Sequence, residues 1–259
     1  EAFFAGDKAH ESTLKALVTE DMLVVEKKGV DAEPGPNYTH IMMASNDTWV
    51  VPAGEDERRY FVLDVGEKQK QNFSYFRDLN RRMDEGGREA LLHYLMTLDL
   101  SDYEVRAVPQ TVALQEQKIL TLDIEQQWWL ERLMDGKSFA GATGWLTSVQ
   151  KDALQRDYLR YAEDQRAFRR VSPTVLGRFL VKQLGPDWPR SVQRWTDVER
   201  EDGRGHVRWE RERVYYYDLP PLEECRKAWD QRYGGPYDWP DTDEQAVEAE
   251  QTVMLDAPY

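Results

Sequence analysis

Hydrophobic positions along the chain change period several times, and each change predicts an element. Asp7 to Thr19 has helical spacing, with Leu14, Leu17 and Val18 on one side and Asp7 as N-cap. Met22 to Gly29 then reads as a strand that runs into a Gly/Pro loop, Val30 to Asn37, and returns at Tyr38. Tyr38 to Ala44 is a continuous apolar run of the kind a buried parallel strand requires, ending in Ser45-Asn46-Asp47. A second run, Tyr60 to Val65, follows the charged stretch Glu55-Asp56-Glu57-Arg58-Arg59. From Gln69 to Leu98 the period is helical again, interrupted at Gly86-Gly87. Asp99 to Pro109 connects to two further amphipathic helices within Gln110 to Met134, the second carrying Trp128-Trp129.

Beyond a Gly/Ala-rich linker at Ala140 to Gly144 the pattern becomes helix, turn, helix and hairpin. Asp152 to Gln165 is amphipathic, and Ser172 as N-cap with Pro173 behind it opens a helix over Thr174 to Leu184. Val192 to Glu199 and His206 to Tyr217 are β-rich and flank Asp202-Gly203, a hairpin turn signal. Leu222 to Tyr233 closes as a helix, and past Gly234 seven Asp/Glu and no Lys/Arg predict a disordered acidic tail.

Composition narrows the picture. The 259 residues are 41% apolar, with 9 Trp and 13 Tyr, enough for one or two cores. The lone Cys225 excludes an internal disulfide framework and suits a reducing compartment. It reads as a buried small hydrophobe, having no histidine near it in sequence. With no apolar run of the roughly 20 residues that a membrane span needs and no signal peptide, the sequence predicts a soluble, cytoplasmic chain. The net charge of −14 disfavours nucleic acid until it is read by region, since Ala140 to Arg213 holds 15 Lys/Arg against 11 Asp/Glu.

Candidate chemistry gathers where two predicted strands deliver polar groups to one sheet edge, the place where open α/β sheets bind ligands. Asn46 follows the first run; Arg58 and Arg59 precede the second, and their planar donor forks suit phosphate oxygens. The bland alternative is that Asn46 caps a turn while the arginines pair with Glu55 to Glu57. Arg178 and Lys182, four apart on one helix face, are placed to meet phosphates, as are Arg200, Arg204 and Arg208 on and beside the hairpin. The bland alternative is a protein-interaction or packing module, since carboxylates are interleaved with the arginines of the hairpin; DNA contact is the favoured reading. Trp128-Trp129 reads as core rather than as a base-stacking platform. Gly136-Lys137-Ser138 imitates the end of a P-loop, but Glu131 stands where the first glycine belongs, and no other stretch supplies one.

The order hydrophobic run, Asn46, Arg58-Arg59, hydrophobic run resembles the carboxyl-terminal half of superfamily 3 helicases of the phage and poxvirus primase-helicase type, over most of the chain up to about Tyr233. The resemblance implies an α/β partial AAA+ ATPase core over residues 1–66, a helical lid and connector over 67–139, an α+β winged-helix domain over 140–233 and an acidic tail over 234–259. It implies ATP and Mg²⁺ as cofactors, with Glu1 as the catalytic, metal-side carboxylate at the end of a Walker B strand. Asn46 would be the sensor that orients the attacking water, and Arg58 or Arg59 the finger reaching a neighbouring subunit's nucleotide. Arg58 is favoured. Lys27 and Lys28 would grip single-stranded DNA at the tip of a channel hairpin, and the winged helix would meet duplex or primer-template DNA. The implied assembly is a homo-hexamer in a bacterial host's cytoplasm. Without a P-loop this chain is expected to hydrolyse no ATP alone, as a fragment or as a natural remnant. The alternative is a non-enzymatic DNA-binding or assembly module that retains an AAA+ remnant.

Overall fold

A computed structural model describes residues 8–25, 32–104, 107–201 and 207–240. They fall into two compact units, the first formed by Glu1–Val51 with Glu57–Gln117 and the second by Pro52–Asp56 with Lys118–Tyr259.

In the first unit, helix α1 (Lys8–Thr19) leads into an antiparallel pair, β1 (Met22–Val25) and β2 (Glu33–Pro36), in which Met22 faces Pro36. The hairpin returns through Glu33–Pro36, earlier than Tyr38, because the Asn37 amide donates to the carbonyls of Leu17 (2.9 Å) and Glu20 (2.7 Å) and ties the end of β2 to the foot of α1. The hairpin tip, with Lys27 and Lys28, lies outside the described residues, as does Glu1.

Neither Tyr38–Ala44 nor Tyr60–Val65 forms a strand, which corrects the expectation of two buried parallel strands. Met42 is 97% and Val65 92% exposed. A buried strand needs ladder partners for its N–H and C=O groups, and among the described residues no strand lies beside either run. Side chains of α4 (Val112–Leu120) and its approach hold the second run and the stretch Thr48–Val51 between the two runs. Gln117 Oε1 accepts from the amides of Val50 (2.7 Å) and Val51 (3.2 Å), its Nε2 donates to the Thr48 carbonyl (2.9 Å), and Thr111 Oγ1 donates to the Val62 carbonyl (2.6 Å).

Helices α2 (Phe73–Arg82) and α3 (Arg88–Thr97) stand where helical spacing predicts them, separated by a kink at Gly86 (φ 102°). Neither buries a residue: Phe73, Leu92 and Met96 are among the side chains left open on them.

The second unit holds the main core. Helix α5 (Ile124–Asp135) opens on a capping box, with Gln126 Oε1 accepting from the Asp123 amide at 2.7 Å, and stops at Gly136 in the left-handed conformation (φ 64°). That turn is the Gly136-Lys137-Ser138 stretch, so the sequence that mimics a P-loop end is a helix C-cap. Then come β3 (Ser148–Gln150), α6 (Lys151–Asp164), α7 (Pro173–Leu184), β4 (Arg190–Glu201), β5 (Val207–Asp218) and α8 (Leu222–Tyr233). The sheet is antiparallel in the order β3-β5-β4. Ser172 occupies the N-cap of α7 without a side-chain bond, so Pro173 alone marks the start.

Trp128 and Tyr158 meet edge to face at 5.7 Å, Trp129 meets Trp145 at 5.7 Å, and Trp229 stacks on Tyr233 at 4.0 Å, all within one cluster with Leu133, Leu154 and Leu180. The division of the chain therefore falls at Gln117 and Lys118 rather than at residue 140, because the tryptophans of α5 belong to this core. Ala140–Gly144 is no free linker: Ala142 is buried and the Ala140 amide donates to Asp157 Oδ1 at 2.9 Å. Residues 234–240 are not a free tail, and the rest of the predicted tail lies outside the described residues. Tyr237 and Trp239 pack against the core, and Trp239 Nε1 donates to the Asp230 carboxylate at 3.2 Å, since two aromatics gain more by covering α8 than by standing in water.

Candidate functional site: an arginine turn and a basic helix face

The turn before Tyr60 is built around a buried carboxylate. Glu57 has a side chain only 2% exposed, and its Oε1 accepts from the backbone amides of Arg58 (2.9 Å) and Arg59 (2.6 Å), while Oε2 lies 3.7 Å from Arg59 Nη1. One carboxylate thus fixes two consecutive amides, and Tyr60 is buried behind them. The two guanidiniums are treated differently. Arg59 folds back on Glu57 with a side chain 27% exposed and a buried Nε; Arg58 is exposed, with no carboxylate partner among the described residues. The turn presents Arg58 and spends Arg59 on holding itself.

Asn46 lies in an exposed bend. The bend is closed by its neighbours, with Ser45 Oγ donating to Asp47 Oδ2 (2.9 Å) and accepting from the Asp47 amide (3.0 Å). The Asn46 amide has no partner among the described residues, so turn capping does not occupy it. Glu57 went unnoticed in the sequence, although an acid directly before two residues of a turn is the signature of a carboxylate that collects their amides. Glu57→Ala should cost about 2–3 kcal/mol, the value of losing hydrogen bonds to a buried charged acceptor. The check is a lowered urea midpoint with α-helical circular dichroism retained before the transition.

Glu55 belongs to the second unit, where it pairs with Lys182 and lies 3.5 Å from Arg232 Nη1, while Lys118 Nζ donates to its carbonyl at 3.2 Å. Lys182 is therefore partly neutralised. Arg178, one turn earlier on α7, is exposed and lines a cleft of about 270 Å³ with Val175, Phe179, Lys182, Gln126 and Glu125. The structure puts Arg178 and Lys182 together on one face, but with acidic Asp123 and Glu125 beside them. Arg208, on β5, is exposed and 3.7 Å from Glu210. The register sets Arg200 opposite Arg208, whereas Arg204 and the Arg200 side chain lie outside the described residues.

Nucleophilic chemistry finds no support here. Cys225 is 1% exposed, its Sγ lies 3.6 Å from the Pro220 carbonyl, and burial, with the Glu224 charge adding to it, raises the thiol well above its ordinary pKa. Burial likewise raises Tyr158, Tyr217, Tyr233 and Tyr237, which keep their protons. Among the described residues no three His, Cys, Asp or Glu are grouped to hold a metal, and no helix is long and apolar enough to cross a membrane. The donors of Arg58 and Asn46 suit phosphate oxygens and water.

No curated protein and no solved structure matches the chain. Residues 1–59, which span Asn46, Arg58 and Arg59, match the model of a family of unknown function, DUF5906.

Proposed function

We propose that the chain is the carboxyl-terminal part of an ATP-driven DNA helicase of the superfamily 3 primase-helicase type, working in DNA replication with ATP bound between subunits of a ring. One observation carries the reading: an exposed guanidinium with no carboxylate partner among the described residues, on a turn pinned by a buried glutamate, in a sequence that has no P-loop. A charge so held is suited to a phosphate group brought by another protomer. ATP supplies the phosphoryl group to be transferred when it is bound. Arg58 contributes a fixed positive charge toward the γ-phosphate oxygens, and Asn46 offers its amide to hold a water. Glu1, the carboxylate that the resemblance nominates to hold Mg²⁺, lies outside the described residues.

The second unit supports a DNA partner. Helix, short strand, helix, helix and a long two-stranded hairpin, with β5 central, is the order of elements in a winged helix, and α7 is then the helix that enters a groove. Arg178→Ala should weaken duplex binding several-fold and flatten the slope of log K against log salt by about 1, with a smaller effect for Lys182→Ala because Glu55 already engages it. Titrations at several salt concentrations check both; salt-independent binding, or none, assigns α7 to packing.

A second reading rests on the missing strands at Tyr38–Ala44 and Tyr60–Val65: a DNA-binding or assembly module without turnover. ATPase activity of the polypeptide carrying an upstream P-loop, with and without Arg58, separates the two.

A further inference from the structure

We infer that the exposed part of the β4–β5 hairpin face that carries Tyr217 is a stacking surface for single-stranded nucleic acid, centred on Trp195 and Tyr215. The inference shares with the proposed function only its nucleic-acid partner and requires no nucleotide site.

Period-two alternation along β5 turns Trp209, Arg211, Arg213, Tyr215 and Tyr217 to one face and sends Glu210 and Glu212 to the other. Opposite them on β4 stand Gln193, facing Tyr215, and Trp195, facing Arg213. Trp195 is 57%, Trp209 66% and Tyr215 55% exposed, an unusual outlay of large aromatics on a strand pair that projects from its core. Cations are set among the rings rather than apart from them. Arg213 lies over the Trp195 ring at 5.0 Å, and Lys151 Nζ lies 4.3 Å from the centre of Tyr217 and 5.6 Å from that of Tyr215 while donating to Ser191 Oγ at 2.6 Å.

Charge decides which part of the face is used. Asp197 lies across from Arg211, so beyond Trp195 the face carries a carboxylate on β4. The inner half, Gln193 and Trp195 against Arg213 and Tyr215 with Lys151 beside them, carries cations and no carboxylate. Rings open to solvent between fixed cations match the two components of a polynucleotide strand, bases to stack and phosphates to neutralise. The face also continues toward α7, because Tyr217 packs so closely on Gly177 that an added Cβ would come within 2.5 Å of its hydroxyl, and Arg178 is the next residue.

Anisotropy of a fluorescein-labelled oligothymidylate, titrated with the full chain in the absence of ATP, tests this. Saturable, salt-sensitive binding is expected, weakened about tenfold by Trp195→Ala or Tyr215→Ala, largely kept by Trp195→Phe, and weakened also by Arg213→Gln. A blunt duplex should bind the Trp195→Ala chain as well as the original. All three side chains are exposed, and circular dichroism melts confirm that the variants fold. Absence of saturable oligothymidylate binding overturns the inference, as does unchanged affinity in Trp195→Ala or equal loss for duplex and single strand. Self-association that Trp195→Ala abolishes, in a chain that ignores oligothymidylate, reassigns the face to protein contact. None of these outcomes bears on Arg58.

Discussion

Under the proposed function, Arg58→Ala should lower ATP turnover by about a thousandfold or more in a polypeptide extended upstream through a P-loop, the effect expected of removing an arginine finger, and should leave the melting curve in place. The second half of that expectation is structural. Arg58 is exposed and makes no ion pair among the described residues, so its truncation exposes nothing and orphans nothing. Its backbone amide stays on Glu57 whatever the side chain. Arg58→Lys should fail to restore turnover, since an ammonium lacks the planar fork that engages two phosphate oxygens at once. Arg59→Ala gives the opposite profile: loss of its contact with Glu57 strips a buried carboxylate of its nearest cation, so stability falls first and turnover follows. Steady-state turnover beside thermal melts of both variants distinguishes the two arginines, and equal effects of the two substitutions on turnover and melting would remove the difference in role that the turn implies.

Trp128→Ala removes about 3–5 kcal/mol from the second unit, as truncation of a fully buried tryptophan does. The indole is 0% exposed, meets Tyr158 edge to face, and donates from Nε1 to Asp157 Oδ2 at 2.8 Å. Asp157 is also the acceptor for the Ala140 amide and lies 3.8 Å from Arg132 Nη1, so the deletion leaves both a cavity and a buried carboxylate short of a donor. Domains commonly hold only about 5–15 kcal/mol in all. Trp128→Phe fills most of the space and should cost about half as much. Urea titrations followed by far-ultraviolet circular dichroism measure the two. A Trp128→Ala chain with an unaltered midpoint that loses DNA binding would return the pair Trp128-Trp129 to the role of a stacking platform.

The second unit was the more legible in sequence, and the reason is local. Pro173 and the alternation of Trp209 to Tyr217 each act over a few residues, so α7 (Pro173–Leu184) and the two long strands stand close to their expected bounds, while the Asp202-Gly203 turn signal lies outside the described residues. What sequence misplaced there depended on distant partners: α5 was divided from a core that its own tryptophans help to make, and Tyr237 and Trp239 were given to a tail although α8 offers them a surface. In the first unit the apolar runs Tyr38–Ala44 and Tyr60–Val65 look like strands, but strand formation is a property of a pair, and among the described residues no strand lies beside either run. The candidate site shows the same division. Residue type and order pointed to Asn46, Arg58 and Arg59, whereas only the buried position of Glu57 shows which arginine is offered to solvent.

The claim on which the account turns is that Arg58 serves a nucleotide held by a different subunit. Mixing two inactive forms of the polypeptide extended through its P-loop, one lacking the P-loop lysine and the other carrying Arg58→Ala, tests it directly. Restored turnover, approaching about a quarter of the unmutated rate at equal amounts because that share of interfaces in a randomly mixed ring is intact, is the predicted result. Two forms that stay inactive together although sedimentation shows them co-assembled would contradict it.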